Sequence, residues 1–399
     1  MRLFTSTAFT IVMCLLCACG APSSGANLPS GSAPATGEDL MVPEAPTPPA
    51  EPQAPAEPEP PDPIQTLLES LSLEEKVGQL FFVRCPEANA VADIKTYHLG
   101  GYILFGRDTK GKTAEELRNT IAAYQAAADI PLLIGVDEEG GTVVRVSANP
   151  RLRSAKFPDP RTLWQKGLEA VKADTREKAA LLRSLGFNVN LAPVADVSVS
   201  ANDFIYKRTT GEPAETASAY VSAVVETASQ EGMGSVLKHF PGYGNNADTH
   251  TGVAIDTRSR ETFDTSDFLP FQAGFAAGGN MTAVLVNHNI VNAMDPDLPA
   301  SLSPAVHKLL REELGFDGVV MTDDLAMDAV EAYAEDGAVA VMALQAGNDI
   351  VLTTDYRIQI PKVVRAVRDG KLEESAVDAA CARVLRWKQA LGLLEFPEA

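Results

Sequence analysis

Eight short apolar runs, spread from residue 80 onward, constrain the fold of this chain more than any other feature. They are LFFVR (80–84), GYILF (101–105), PLLIGVD (131–137), VNLAPVADV (189–197), GSVLKHF (234–240), TAVLVNH (282–288), GVVMTDD (318–324) and DIVLTTD (349–355). Each is too short for a buried helix, and turn-forming or charged residues bound it, which is the pattern of a strand covered on both faces. Between them lie helical periods such as AEELRNTIAAYQAAA and AETASAYVSAVVETASQ. Strand–helix alternation of this kind predicts βα units and a parallel sheet. Eight strands over about 335 residues predict one (β/α)8 TIM-type barrel with some long loops. A doubly wound sheet is the other arrangement, but no GxGxxG follows the first strand.

In a barrel the C-terminal strand ends open on one face, so residues distant in sequence line one pocket there. Here those ends read Asp137-Glu138-Glu139-Gly140-Gly141, Lys238-His239, His288 and Asp323-Asp324. Any one of these carboxylates reads equally as the cap of the next helix. Several of them, together with His239, His250 and His288, exceed what capping requires. The segment KHFPGYGNNADTHTG (238–252) mixes cation, imidazole and carboxylate with Gly and Pro, which a packed core has no use for. Asp323, at the end of an apolar strand and followed by helix-forming sequence, suits a fixed nucleophile on the barrel rim. Asp248 and His250 lie two apart in an extended loop, where the carboxylate can orient the imidazole and raise its pKa. A local Asx-turn at Asp248 is the competing reading. His98 and His307 read as surface or helix-end residues, His288 as either a pocket or a core histidine, and Trp164 and Trp387 as packing residues.

The formal charge of -20 excludes an extended nucleic-acid or anionic-membrane surface, since those need clustered Lys and Arg. Cys14, Cys17 and Cys19 crowd the N-terminus, leaving only Cys85 and Cys381 elsewhere, so neither a disulfide framework nor a zinc site is expected. Residues 1–19 read as a secretion signal: Arg2, an apolar run from Ala8 to Cys17, then small residues. Leu16-Cys17-Ala18-Cys19 resembles a lipoprotein lipobox. The expected product is anchored outside the cytoplasm through lipidated Cys19, with an ordinary cleaved signal as the alternative. The apolar run is too short to span a membrane. Residues 20–63 lack Lys, Arg and aromatic residues and are rich in Pro, Ala and Glu. They read as a disordered linker, able to reach on the order of 100 Å if extended, before a catalytic body over 64–399.

That body resembles the family 3 glycoside hydrolases, in their branch of β-N-acetylglucosaminidases active on cell-wall sugars. KHFPGYGNNADTH is similar to the branch's KHFPGHG…DSH signature, and LPASLSP…LGFDGVVMTDDLAM to its nucleophile segment. GGYILFGRDT, IPLLIGVDEEGGTVVRV and VNLAPVADV match in the expected order, so the resemblance spans nearly all of 70–392. It implies a (β/α)8 barrel and a retaining exo-acting hydrolase working as a monomer without metal or organic cofactor. It further implies Asp323, rather than Asp324, as nucleophile and an Asp248–His250 dyad as acid/base. Sugar binding falls on Asp137, Arg145, Arg208, Lys238 and His239. The implied partner is a β-N-acetylglucosaminide; nucleic acid is not, and the membrane enters only through the anchor. Tyr243 stands in place of the signature's usual histidine, the Gly244–Asp248 loop is one residue shorter, KRTTG replaces RSFG near Arg208, and Thr142 stands where arginine is frequent. Within the family a β-glucosidase or a phosphorylase remains open, the latter because a neutral imidazole does not repel phosphate. Outside it, the alternative is an inactive sugar-binding lipoprotein.

Overall fold

All eight apolar runs form strands of a single parallel sheet. The computed structural model describes residues 62–246, 254–327, 330, 333 and 338–396. The strands are β1 (Phe81–Arg84), β2 (Gly101–Leu104), β3 (Leu133–Val136), β4 (Val189–Asn190), β5 (Gly234–Phe240), β7 (Thr282–Val286), β9 (Val320–Thr322) and β10 (Val351–Thr353). Their order is β10-β1-β2-β3-β4-β5-β7-β9, and a parallel bridge between Met321 and Ile350 completes the ring. The fold is a (β/α)8 barrel, as the alternation predicts.

The strands are shorter than the apolar runs. VNLAPVADV pairs as a ladder only through Val189 and Asn190 and returns as a single bridge from Val194 to Lys238. Pro193 between them has no N–H to donate to a ladder. A second sheet that the pattern did not reveal joins β6 (Ile255–Asp256) to β8 (Ile290–Val291) in parallel. It anchors the chain just after the 238–252 segment.

The predicted helical periods form the helices Ala114–Ala127 and Ala214–Gln230. The first opens on a capping box in which Thr113 and Glu116 exchange hydrogen bonds, satisfying donors that the first turn leaves orphaned. The Ala214–Gln230 helix packs its Ala/Val face between the helices Leu168–Leu185 and Phe268–Gly278. The first described helix, Pro63–Ser70, is capped by Asp62, whose carboxylate accepts from the Ile64 N–H at 2.9 Å. Cys19 and the proposed signal lie outside the described residues, as does nearly all of the 20–63 linker. Among the described residues, no helix is long and apolar enough to cross a membrane, and Cys85 and Cys381 are buried free thiols.

His307 lies in the last turn of the helix Pro304–Lys308, a helix-end residue as read from the sequence but not a surface one. It is buried, with its ring Nδ1 2.8 Å from the Ser303 carbonyl. A backbone acceptor one turn back makes this burial tolerable, and burial holds its pKa below the usual imidazole value.

Candidate active site

The end of β3 places three carboxylates, and each has a different task. Glu138 turns into the protein and accepts the backbone N–H groups of Arg145, Val146 and Ser147 at 2.8, 2.7 and 3.2 Å, as well as the Ser147 hydroxyl. It thereby fixes the loop that carries Arg145. Asp137 faces the barrel mouth, where the Lys238 ammonium from β5 donates to it at 2.7 Å and Arg145 approaches to 4.0 Å. Glu139, buried, pairs with Lys238 at 2.6 Å and with the Arg208 guanidinium at 2.9 and 2.7 Å.

The buried Lys238 ammonium and the partly buried Arg208 guanidinium thus meet two carboxylates, which is the condition for keeping charge inside a protein. Burial pushes the Glu139 carboxyl upward, but Arg208 and Lys238 outweigh it and hold the group well below the ordinary carboxylate range. Burial likewise opposes the Lys238 charge, and Asp137 and Glu139 reverse that and raise its pKa. Arg208 also stands 3.0 Å from His239 Nε2. A guanidinium can only donate, so Nε2 is the acceptor and the ring proton sits on Nδ1. Nδ1 donates to Asp196 at 2.7 Å, and His239 is therefore a neutral imidazole locked in one tautomer.

Across the mouth, Asp323 follows β9. Its N–H donates to the Val286 carbonyl of β7 at 2.9 Å, and its carboxylate accepts the Asp324 N–H at 2.9 Å. The Asp324 carboxylate accepts from Ala326 N–H at 3.0 Å, closing a short turn. Burial raises the Asp324 pKa, the charge of Asp323 adds to the shift, and Arg84 opposes it. His288 is fully buried between the Ser301 hydroxyl (2.7 Å) and the Asp324 carbonyl (3.1 Å). Through the Asp324 carbonyl it holds the turn that carries Asp323.

One cavity of about 340 Å³ is lined by Asp137, Arg145, Arg208, Lys238, His239 and Asp323 together, with Arg84, Glu139 and Asp324 among its other walls. Among the described residues, four cationic and four acidic side chains face it, so their charges balance in a chain of charge -20. Such a wall suits a neutral ligand rich in hydroxyl groups. Asp248 and His250 lie outside the described residues. Sequence reasoning left three contributors unassigned: Glu139, Asp196 and Arg84. Glu139 and Arg84 were visible as charged residues at the ends of apolar runs, and Asp196 as the one charge inside VNLAPVADV.

The family model described as the glycosyl hydrolase family 3 N terminal domain matches residues 72–387. The chain belongs to this family and is a glycoside hydrolase. It is 31% identical to Beta-hexosaminidase LpqI of Mycobacterium tuberculosis over 97% of both chains. A solved family 3 β-N-acetylglucosaminidase from Paenibacillus sp. superposes with a TM-score of 0.76 at 31% identity, covering 83% of this chain and 64% of that longer one. A β-N-acetylhexosaminidase from Beutenbergia cavernae gives 0.71 at 31% identity, covering 80% of this chain and 99% of that one.

Proposed function

We propose that the protein is a retaining exo-β-N-acetylglucosaminidase that removes terminal β-linked N-acetylhexosamine, with cell-wall-derived glycans as the substrate class. The observation that carries this reading is the placement of Asp323 on the wall of the cavity that also holds Asp137, Arg145, Arg208, Lys238 and His239. The names of the relatives supply the sugar class. A cavity of about 340 Å³ is at the small end for ligand sites, which supports one terminal sugar unit and exo action.

In this reading Asp137 and Lys238 bind sugar hydroxyls by charge-assisted hydrogen bonds, while Arg145 and Arg208 contact the ring or its acyl group. Asp323 attacks the anomeric carbon as His250, oriented by Asp248, delivers a proton to the leaving oxygen. The glycosyl-enzyme is then hydrolysed by water that His250 deprotonates, so the β configuration is retained. The chain acts as a monomer held outside the cytoplasm through lipidated Cys19. The test is a panel of aryl glycosides with anomer analysis of the product, run with and without phosphate. Release of β-N-acetylglucosamine in both buffers is expected. Preference for the plain glucoside, a sugar phosphate product, or no release would each overturn the reading.

A further inference from the structure

On the proposed reading the cavity of about 340 Å³ takes one terminal sugar, so the unit to which that sugar is joined must lie outside it, on the rim. On that rim runs the loop between β4 and the helix Ala214–Gln230, which brings Arg208 into the cavity wall. Six large hydrophobic side chains are exposed among the described residues, and two of them, Val199 (62%) and Phe204 (38%), belong to this one loop. A single exposed apolar side chain needs no explanation. Two in one loop beside a ligand cavity point to something that covers them.

Phe204 is held firmly from both sides. It opens a short 3-10 helix, Phe204–Arg208, whose far end is anchored by the Arg208–Glu139 hydrogen bonds at 2.9 and 2.7 Å. Its entry is a tight turn in which the Ser198 hydroxyl donates to Asp203 at 2.7 Å and the Asp203 N–H to the Ser200 carbonyl at 3.0 Å. The Phe204 ring meets the buried Tyr243 ring edge-on with centroids 5.7 Å apart, and Tyr243 meets the His239 ring in the same way at 5.2 Å. His239 lines the cavity, so a row of three rings leads from the cavity wall to an exposed aromatic surface. Tyr243 is itself fixed, its N–H donating to Asp196 at 2.7 Å and its side chain packed with Val194 and Ile205.

We propose that Phe204 is the platform for the second sugar of the glycan, the unit released when the terminal residue is cut off. The proposal rests on the glycosidase reading above. One face of a pyranose is a row of C–H groups, which packs on an aromatic ring while the hydroxyls at the sugar's edge stay in water. The side of the mouth is the right one. Displacement at the anomeric carbon expels the leaving sugar away from the attacking carboxylate, and β4, which precedes the Phe204 loop, stands three places round the barrel from β9, which precedes Asp323. The preferred substrates are therefore oligosaccharides and not glycosides of small leaving groups.

The test uses the full chain and two substrates that share the terminal sugar. One is the β-1,4-linked disaccharide of N-acetylglucosamine; the other is N-acetyl-β-glucosaminyl fluoride, whose leaving group is too small to reach the rim. Phe204→Ala is expected to lower the ratio of kcat/KM on the disaccharide to kcat/KM on the fluoride by roughly 3- to 10-fold. Phe204→Trp, which keeps an aromatic face, should hold that ratio within about 2-fold of wild type. A merely structural role would act through Arg208 on both substrates alike and leave the ratio unchanged. An unchanged ratio in Phe204→Ala, or a ratio in Phe204→Trp as low as that of the alanine variant, would overturn the platform while the glycosidase reading stands. So would a wild-type enzyme that cleaves the fluoride and not the disaccharide. If wild type releases N-acetylglucosamine from neither, the glycosidase reading fails and the platform falls with it.

Discussion

Replacing Glu139 by Gln should expose how much of the sugar site is held together by one buried carboxylate. The substitution keeps the shape and one acceptor but removes a charge contacted by Lys238 at 2.6 Å and by Arg208 at 2.7 and 2.9 Å. Lys238 keeps Asp137 at 2.7 Å, whereas among the described residues the hydrogen-bond partner left to Arg208 is the His239 ring at 3.0 Å. Deleting one partner of a buried pair costs about 3–5 kcal/mol, and the acceptor that Gln retains places this case near the lower end. For a folded body of about 335 residues that corresponds to a fall in Tm of roughly 4–6 °C. KM for an aryl N-acetyl-β-glucosaminide should rise about 10-fold as Arg208 loses its fixed direction, close to 1.4 kcal/mol.

The pH dependence carries a second signature. The folded Glu139 pKa lies below the unfolded value of about 4.3, so its stabilisation is present above that pH and is lost as pH falls through the folded value. The stability difference between wild type and Glu139→Gln should therefore stay flat from about pH 5 to 8 and shrink below about 4.3. Denaturant unfolding across pH, with kinetics at pH 7, measures both effects. Unchanged stability together with unchanged KM would refute the idea that Glu139 organises Arg208 and Lys238.

Lys388 is fully buried with Gln79 as its hydrogen-bond partner at 2.6 Å, and burial pushes its pKa down to about 7. A depressed lysine contributes stability above its unfolded pKa that is lost as pH falls through the folded value. Wild-type stability should thus climb between pH 7 and 10.5 relative to Lys388→Met, by up to about 1.4 kcal/mol per pH unit; parallel urea-midpoint curves would refute this. Asp196→Asn faces two backbone N–H groups and the His239 Nδ1–H with a single acceptor oxygen. It should cost about 1–3 kcal/mol in denaturant unfolding and raise KM through His239; a silent substitution would contradict the assigned tautomer.

The barrel was legible because each strand is an apolar run bounded by turn signals, a purely local pattern. Strand ends were less so, since ladder pairing depends on neighbours: VNLAPVADV reads as nine residues, yet Pro193 interrupts its pairing. The β6–β8 pair escaped notice because two residues carry no periodicity and their partner lies 35 positions away. Within the site, the face on which Asp137, Lys238, His239 and Asp323 meet follows from strand direction alone. The Glu139–Arg208 and Asp196–His239 pairings do not, because they are specified by tertiary packing between loops. His307 and Lys388 illustrate the same limit. Their burial is set by what packs over them, not by their own sequence neighbourhood.

In the proposed mechanism Asp323 forms a covalent bond to the sugar. A 5-fluoro-N-acetyl-β-glucosaminyl fluoride slows both steps while its good leaving group keeps the first one faster, so the glycosyl-enzyme accumulates. Mass spectrometry of the digested protein should find one fluorosugar, attached to Asp323, and none on Asp323→Asn. A label on Asp324 or on another carboxylate, or unlabelled enzyme releasing the α-anomer from ordinary substrate, would contradict the account.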